Sequence, residues 1–184
     1  RLRMQSWGNI MTPIPNFIHH LPASVRREVE EGRAAVVGGA LRAHFEGKAP
    51  NDVDVFVLRR ECVDALLNGL VGEGFQVERK PDTDAVWQVN GAAAFPIEII
   101  HVPMCSTPEE CVAHGDFDIA AGTYSAGSFY LPEGYEFAVK NKKMKFIGLV
   151  AGESPQRSYD RYLKYNRKYG YTIDNSIQEL LRLW

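Results

Sequence analysis

The chain is poor in cysteine. Cys62, Cys105 and Cys111 are the only three in 184 residues, and their spacing matches no metal-binding motif. Thiols used this sparingly fit a reducing compartment, so a cytoplasmic location is expected. The histidines at 19, 20, 44, 101 and 114 form no ligand spacing either, which argues against zinc. Long apolar runs are missing: residues 34–40 and 92–100 fall well short of a membrane span. No charged segment followed by an apolar one opens the chain, so secretion is not expected. There is no G-x-S-x-G nucleophile elbow, no G-x-x-x-x-G-K-[ST] phosphate loop, no internal repeat and no low-complexity tract.

What is present is an ordinary globular composition, 45% hydrophobic, 24% charged and 11% aromatic, enough for one domain with its own core. The formal net charge of −2 argues, taken alone, against a nucleic-acid binder. The charge is unevenly spread, however. Residues 1–134 hold 11 basic and 18 acidic side chains, and residues 135–184 hold 10 and 5, so the two parts stand at −7 and +5. An asymmetry of this kind points to a polyanionic ligand.

Residues 1–12 show no period, and Pro13, Pro15 and Pro22 punctuate the next ten residues. Residues 1–22 are therefore expected to be an N-terminal arm or an expression remnant. Residues 23–184 would form a single domain with basic helices from about 135 onward. Apolar periodicity predicts helices over 24–31, 40–46, 59–71, 107–114, 135–149 and 155–169. Alternation and β-branched runs predict strands over 33–37, 52–58, 75–79, 85–89, 95–102 and 124–131. Asn90-Gly91 marks a turn, Thr107-Pro108-Glu109-Glu110 is a capping box, and Gly170 ends the last helix. The fold class is α+β, a mixed β-sheet with flanking helices.

The chemistry concentrates around Val37-Gly38-Gly39 and, twelve residues on, Asp52-Val53-Asp54-Val55. On a strand, residues i and i+2 share a face, so Asp52 and Asp54 project together while Val53, Val55 and Val57 face a core. Two neighbouring carboxylates repel unless a cation sits between them, and oxygen ligands at this spacing suit Mg²⁺. Glu98, an isolated acid in Pro96-Ile97-Glu98-Ile99-Ile100, is the candidate third carboxylate, with Asp118 as its competitor. Gly38 and Gly39 let the backbone approach a ligand closely, and Arg42, one turn later, is placed to grip a polyphosphate. Arg157, Arg161, Lys164 and Lys168 recur at spacings that put them on one helix face. That face reads either as solvated or as meeting a triphosphate or a nucleic acid.

The pattern apolar-Gly-Gly, apolar-flanked Asp-x-Asp, then apolar-Glu-apolar resembles the DNA polymerase β-like nucleotidyltransferase superfamily. Residues 36–42, Val-Val-Gly-Gly-Ala-Leu-Arg, look especially like the head of CCA-adding enzymes and bacterial poly(A) polymerases. Residues 117–119, and 161–165 with 170–171, resemble small phage-type and uncharacterised members. Ala43 departs from the pattern, since CCA-adding enzymes carry a nucleotide-contacting Asp there. The resemblance implies a polymerase β palm-like fold and Mg²⁺-dependent transfer of a nucleoside monophosphate from an NTP, with pyrophosphate leaving. Asp52, Asp54 and Glu98 would hold two Mg²⁺ ions, and Gly38, Gly39, Arg42, Arg161 and Lys164 would bind the NTP. The acceptor would be RNA, protein or a small molecule. Two other readings stay open: a catalytically silent nucleotide- or partner-binding relative, and a two-metal phosphohydrolase or nuclease.

Overall fold

The computed structural model describes residues 13–83, 85–150 and 152–173; residues 1–12 of the expected arm over 1–22 and Arg182 of the basic part lie outside them. Seven short strands form one mixed sheet among these residues. They are β1 (Ala34–Val37), β2 (Val53–Val57), β3 (Gln76–Arg79), β4 (Val86–Asn90), β5 (Ile97–Ile100), β6 (Thr123–Ser125) and β7 (Ser128–Tyr130). Their order is β3-β4-β5-β2-β1-β6-β7. Every neighbouring pair is antiparallel except β2 with β5. That parallel pair arises because the chain leaves β2 through helix α3 (Val63–Gly72) and the β3–β4 hairpin before re-entering the sheet beside β2.

Alternation gives the sheet two unlike faces. Val53, Val55, Val57, Ile97 and Ile99 are buried against Val25 and Val29 of α1 (Ala23–Glu30) and Leu66 and Leu70 of α3. Each such buried aliphatic contributes about 1.5–3 kcal/mol relative to exposure. The other face carries Asp54, Phe56, Glu98 and Ile100. Cys111 of α4 (Pro108–Ala113) packs with Phe56 there, and α6 (Pro155–Tyr169) lines the same space. By contrast, α2 (Gly39–Phe45) sends Ala40 and Leu41 into the first core, and α5 (Tyr135–Lys140) packs apart from that core. A second core of Phe117, Ile119, Tyr135, Met144, Tyr162 and Tyr171 ties α5 and α6 together. The capping box of α4 is complete: the Thr107 side chain accepts from the Glu110 N–H, and the Glu110 carboxylate accepts from the Thr107 N–H. Gly170 ends α6 in the left-handed region at φ +74°.

Three expectations are corrected. Residues 13–22 are not a loose arm, because a 3-10 helix at Asn16–His20 sends Phe17 and Ile18, with Leu21, into the first core. Residues 124–131 are not one strand but the hairpin β6–β7. Ala126 and Gly127, at φ +47° and +77°, make a two-residue turn that reverses the chain. The helix expected over 135–149 ends at Lys140. Lys142 turns at φ +54°, and the extended backbone after it pairs instead with its neighbours. Met144 N–H donates to Thr172 O, Ile147 N–H to Asp116 O, and Lys145 O accepts from Asp118 N–H. These long-range bonds override the helix formers in Lys142–Lys143–Met144.

Candidate active site

The parallel register of β2 and β5 places Asp54 directly opposite Glu98. In-register residues of paired strands share a face, so the two carboxylates stand side by side, away from the valine core. The antiparallel register of β1 puts Val37 on the other flank of Asp54, and the chain turns there into Gly38 and α2. Gly38 takes φ +74° and ψ −126°, a conformation that glycine alone reaches without strain. Its N–H donates to Gly122 O at 2.9 Å. A side-chain carbon built on Gly39 would lie 3.8 Å from Asp52 Oδ1, so the exposed carboxylate of Asp52 approaches the start of α2.

Burial, with the nearby charges of Asp52 and Glu98, pushes the Asp54 carboxyl up to about 7, against the opposing pull of Lys164 and Lys80. Three carboxylates are thus close enough to feel one another. Asp54 and Glu98 open on a cleft of about 570 Å³, a size that admits a nucleotide. Gly38, Gly39, Asp54 and Glu98 line it on the sheet side, Lys80 on the β3–β4 hairpin, and Arg161 and Tyr165 on α6. An all-oxygen, anionic donor set of this kind fits a hard divalent cation. Among the described residues, however, no three His, Cys, Asp or Glu side chains stand together in a ligating arrangement. Glu98 is engaged instead by the Lys80 ammonium, which donates to its Oε1.

The two candidates for the third carboxylate part company in space. Asp118 is buried at the head of a 3-10 turn, where its Oδ1 accepts from the Ile119 and Lys145 N–H groups at 2.8 Å each. It does not line the cleft, and burial raises its carboxyl above the ordinary range. Arg42 is also placed differently from its expected use. It is 4% exposed, donates to Glu46 Oε1 at 2.8 Å, and lies with its guanidinium 4.0 Å from the centre of the Tyr169 ring. Arg42 therefore joins α2 to the end of α6 rather than facing the cleft. Glu46, four residues on, is the sequence signal for this, as an i, i+4 partner.

Arg161 lines the cleft but is tied down, donating to Asp116 Oδ2 at 2.8 Å and to Glu153 at 2.7 and 3.0 Å. Lys164 is exposed on α6, and its charge reaches Asp54. The basic face of α6 is thus neither uniformly solvated nor uniformly free. Lys80, Asp116 and Glu153 complete the cleft walls. No motif announces them, because they meet the site only through the hairpin turn and through pairing across the second core.

A model of the Gabija anti-defense 2 family matches residues 14–142, well over half of the chain. The chain belongs to the Gabija anti-defense 2 family. The matched stretch contains Gly38, Gly39, Asp52, Asp54 and Glu98 and ends before α6. A search of curated proteins finds no match in sequence. Solved structures with similar folds include one described as a tRNA-processing enzyme in an apo form. It is 22% identical with a TM-score of 0.71, over 93% of this chain and 47% of that one. A CCA-adding enzyme with ATP is 15% identical with a TM-score of 0.71, over 100% of this chain and 46% of that one. A tRNA nucleotidyltransferase complexed with a primer tRNA and an ATP analogue is 21% identical with a TM-score of 0.67, over 87% and 49%. The chain spans about half the length of these structures. At such identities the likeness shows the fold, which is nucleotidyltransferase-like in this member of the family. No helix among the described residues is long and apolar enough to cross a membrane.

Proposed function

We propose that this protein is a Mg²⁺-dependent nucleotidyltransferase that moves a nucleoside monophosphate from an NTP to an acceptor hydroxyl and releases pyrophosphate. The observation that carries the reading is the β2–β5 register, which sets Asp54 beside Glu98 at the foot of the Gly38-Gly39 turn. Two divalent cations bound there would neutralise charge on the attacking and leaving oxygens of an in-line displacement. Asp52, Asp54 and Glu98 would hold them. Glu98 would also assist removal of the acceptor proton, and the bond between the α-phosphorus and its bridging oxygen would break as the new ester forms. Gly38 and Gly39 give the triphosphate a side-chain-free approach. Lys164 supplies positive charge from α6, while Arg161, kept by Asp116 and Glu153, shapes the wall.

The acceptor is an RNA, a protein or a small molecule; the structural neighbours described as acting with tRNA favour RNA. We take this transfer to be the means by which the protein would act against the defence for which its family is named. A second reading, a catalytically silent nucleotide- or partner-binding relative, draws on the engagement of Glu98 by Lys80.

The test is pyrophosphate release from each of the four NTPs with Mg²⁺, against RNA, protein and small-molecule acceptors. The wild type should release pyrophosphate, and Asp52→Asn and Asp54→Asn should each abolish release while keeping the wild-type circular dichroism spectrum. Undiminished release from Asp54→Asn would refute the site. Nucleotide binding without any product would favour the silent relative, and hydrolysis without acceptor would favour a phosphohydrolase.

A further inference from the structure

Lys80 closes the β3–β4 hairpin. Its N–H donates to Val86 O at 2.9 Å and its carbonyl accepts from Thr83 N–H at 3.3 Å, so its backbone is fixed at a tight turn. The side chain leaves this turn and crosses toward β5. The intervening β4 has Gln88 in register with both Glu78 and Glu98. Lys80, two residues beyond Glu78 and on the same face, therefore reaches Glu98 on the diagonal, across about 10 Å of sheet and about 7 Å along the strands, the two side chains extending toward each other. Both line the cleft, and their side chains keep 39% and 31% exposure. The ammonium thus sits in the space a ligand enters rather than beneath it.

An ion pair this exposed adds little to stability, so folding alone does not account for its placement. The cleft's other guanidinium and ammonium groups are differently disposed. Arg157 pairs with Glu153, and Arg161 with Glu153 and Asp116. Lys80 is held by the very carboxylate that stands in register with Asp54. A doubly charged cation on that carboxylate would repel the ammonium and outcompete it. Once displaced, the ammonium stays tethered to the cleft wall, and the group that best receives it there is the polyphosphate that accompanies the metal.

We propose that Lys80 is a positioning residue: it holds Glu98 as the resident cation of the metal-free site and passes to the substrate's polyphosphate when a divalent cation takes Glu98. Metal and triphosphate then enter as a coupled pair. This inference rests on the metal-site reading above.

The experiment measures Mn²⁺ binding to the full chain by the electron paramagnetic resonance signal of free Mn²⁺, with and without the non-hydrolysable analogue α,β-methylene-ATP. Without nucleotide, Lys80→Met should bind Mn²⁺ about three- to fivefold more tightly than wild type, the range expected for removing an exposed competing charge. With Mn²⁺ present, the same variant should bind the analogue several-fold more weakly, and Lys80→Arg should restore both values toward wild type. Adding Glu98→Gln should erase the Mn²⁺ gain of Lys80→Met. Lys80→Gln repeats the comparison should the Met variant fail to fold. Mn²⁺ affinity equal to or below wild type in the charge-removed variant, or unchanged analogue affinity, overturns the role of Lys80. A wild-type protein that binds no Mn²⁺ overturns the metal-site reading and this inference with it, whereas wild-type binding with an indifferent Lys80 overturns this inference alone.

Discussion

Asp54→Asn should make the metal-free protein more stable at pH 8 while abolishing turnover. The Asp54 carboxyl is raised from its ordinary 3.8 to about 7, chiefly by burial and then by Asp52 and Glu98. The folded state therefore binds this proton more tightly than the unfolded chain does. Stability falls as pH rises from about 4 to about 7 and is flat above that. At about 1.4 kcal/mol per unit the full shift would amount to about 4 kcal/mol. The cleft is open and the lysines adjust, so about half of that, some 2 kcal/mol, is the expected effect. An Asn of the same size escapes the penalty. In a domain of this length 1 kcal/mol moves the melting temperature by about 2–4 °C, which gives a gain of about 4–8 °C at pH 8 in EDTA. At pH 4 the gain should largely vanish, because Asp54 is then protonated in the fold and the unfolded chain's carboxyl is itself close to its midpoint. Saturating Mg²⁺ at pH 8 should raise the wild type and leave the variant nearly unmoved, reversing their order. Scanning calorimetry at the two pH values, with EDTA and with Mg²⁺, reads all four quantities. A variant less stable than wild type at pH 8 in EDTA, or a difference that ignores pH, would refute the electrostatic account.

Other perturbations separate structural from chemical roles. Gly38→Ala should lose about 1–3 kcal/mol in urea unfolding, since its φ of +74° with ψ −126° strains any side chain and the new carbon meets Ala120 O at 3.4 Å. Gly39→Ala, helical and 3.8 Å from Asp52 Oδ1, should keep its fold; equal losses at the two positions would contradict the backbone argument. Ala126→Gly should raise the stability read from urea unfolding by about 0.5–1 kcal/mol, because the hairpin turn holds Ala126 at φ +47°. Despite its burial, hydrogen bonds from Lys142 and Tyr171 and the charge of Arg42 hold Glu46 down at about 2. Its contribution should be complete above about pH 4.5 and fade as pH falls toward 2. Glu46→Ala leaves Arg42 buried without that partner and should lose about 3–5 kcal/mol. Arg42→Met should lower stability but leave the KM for NTP unchanged, and a raised KM would return Arg42 to the binding site.

Much of the fold is written in local pattern. The alternation of residues 53–57 sets which face of β2 is buried, and Pro155 and Gly170 bracket α6 at its observed ends. The β6–β7 hairpin and the early end of α5 escape local reading, each for its own reason. Ala126-Gly127 lacks the Asn or Asp that advertises a hairpin, and residues 142–147 have helix formers but pair with partners 27 to 31 residues away. The site divides the same way. Asp52, Asp54 and the glycines are legible because they lie in one short stretch. The adjacency of Glu98 depends on which strand neighbours β2, and only the parallel register settles it. Arg42 misleads a local reading because its fate depends on Tyr169, more than 120 residues later. Lys80 has no signal in the sequence, since its meaning comes from the width of one intervening strand.

The opposed charges of the two parts of the chain meet in the ion pairs of Lys142 with Glu46 and Arg161 with Asp116, and further pairs form within the C-terminal part. Arg161 is matched by Asp116 and Glu153, Lys142 by Glu46, and Lys164 acts on Asp54. The +5 of the C-terminal part therefore does not translate into five free charges gathered at one site. Among the described residues, the exposed cations of that part outside these pairings and the Arg157–Glu153 pair are Lys140, Lys143, Lys145, Arg167 and Lys168. For an RNA acceptor this bounds the electrostatic contribution of the C-terminal part. Each phosphate neutralised contributes about −0.7 to the slope of log affinity against log salt for a single strand, so full engagement of these side chains gives a slope of about −3.5. Replacing Lys140, Lys143 and Lys145 together by Gln should flatten the measured slope by about 2. If the triple variant leaves the slope unchanged, the polyanion is read elsewhere; if Arg161→Gln flattens it as well, the pairing with Asp116 and Glu153 opens to admit phosphate.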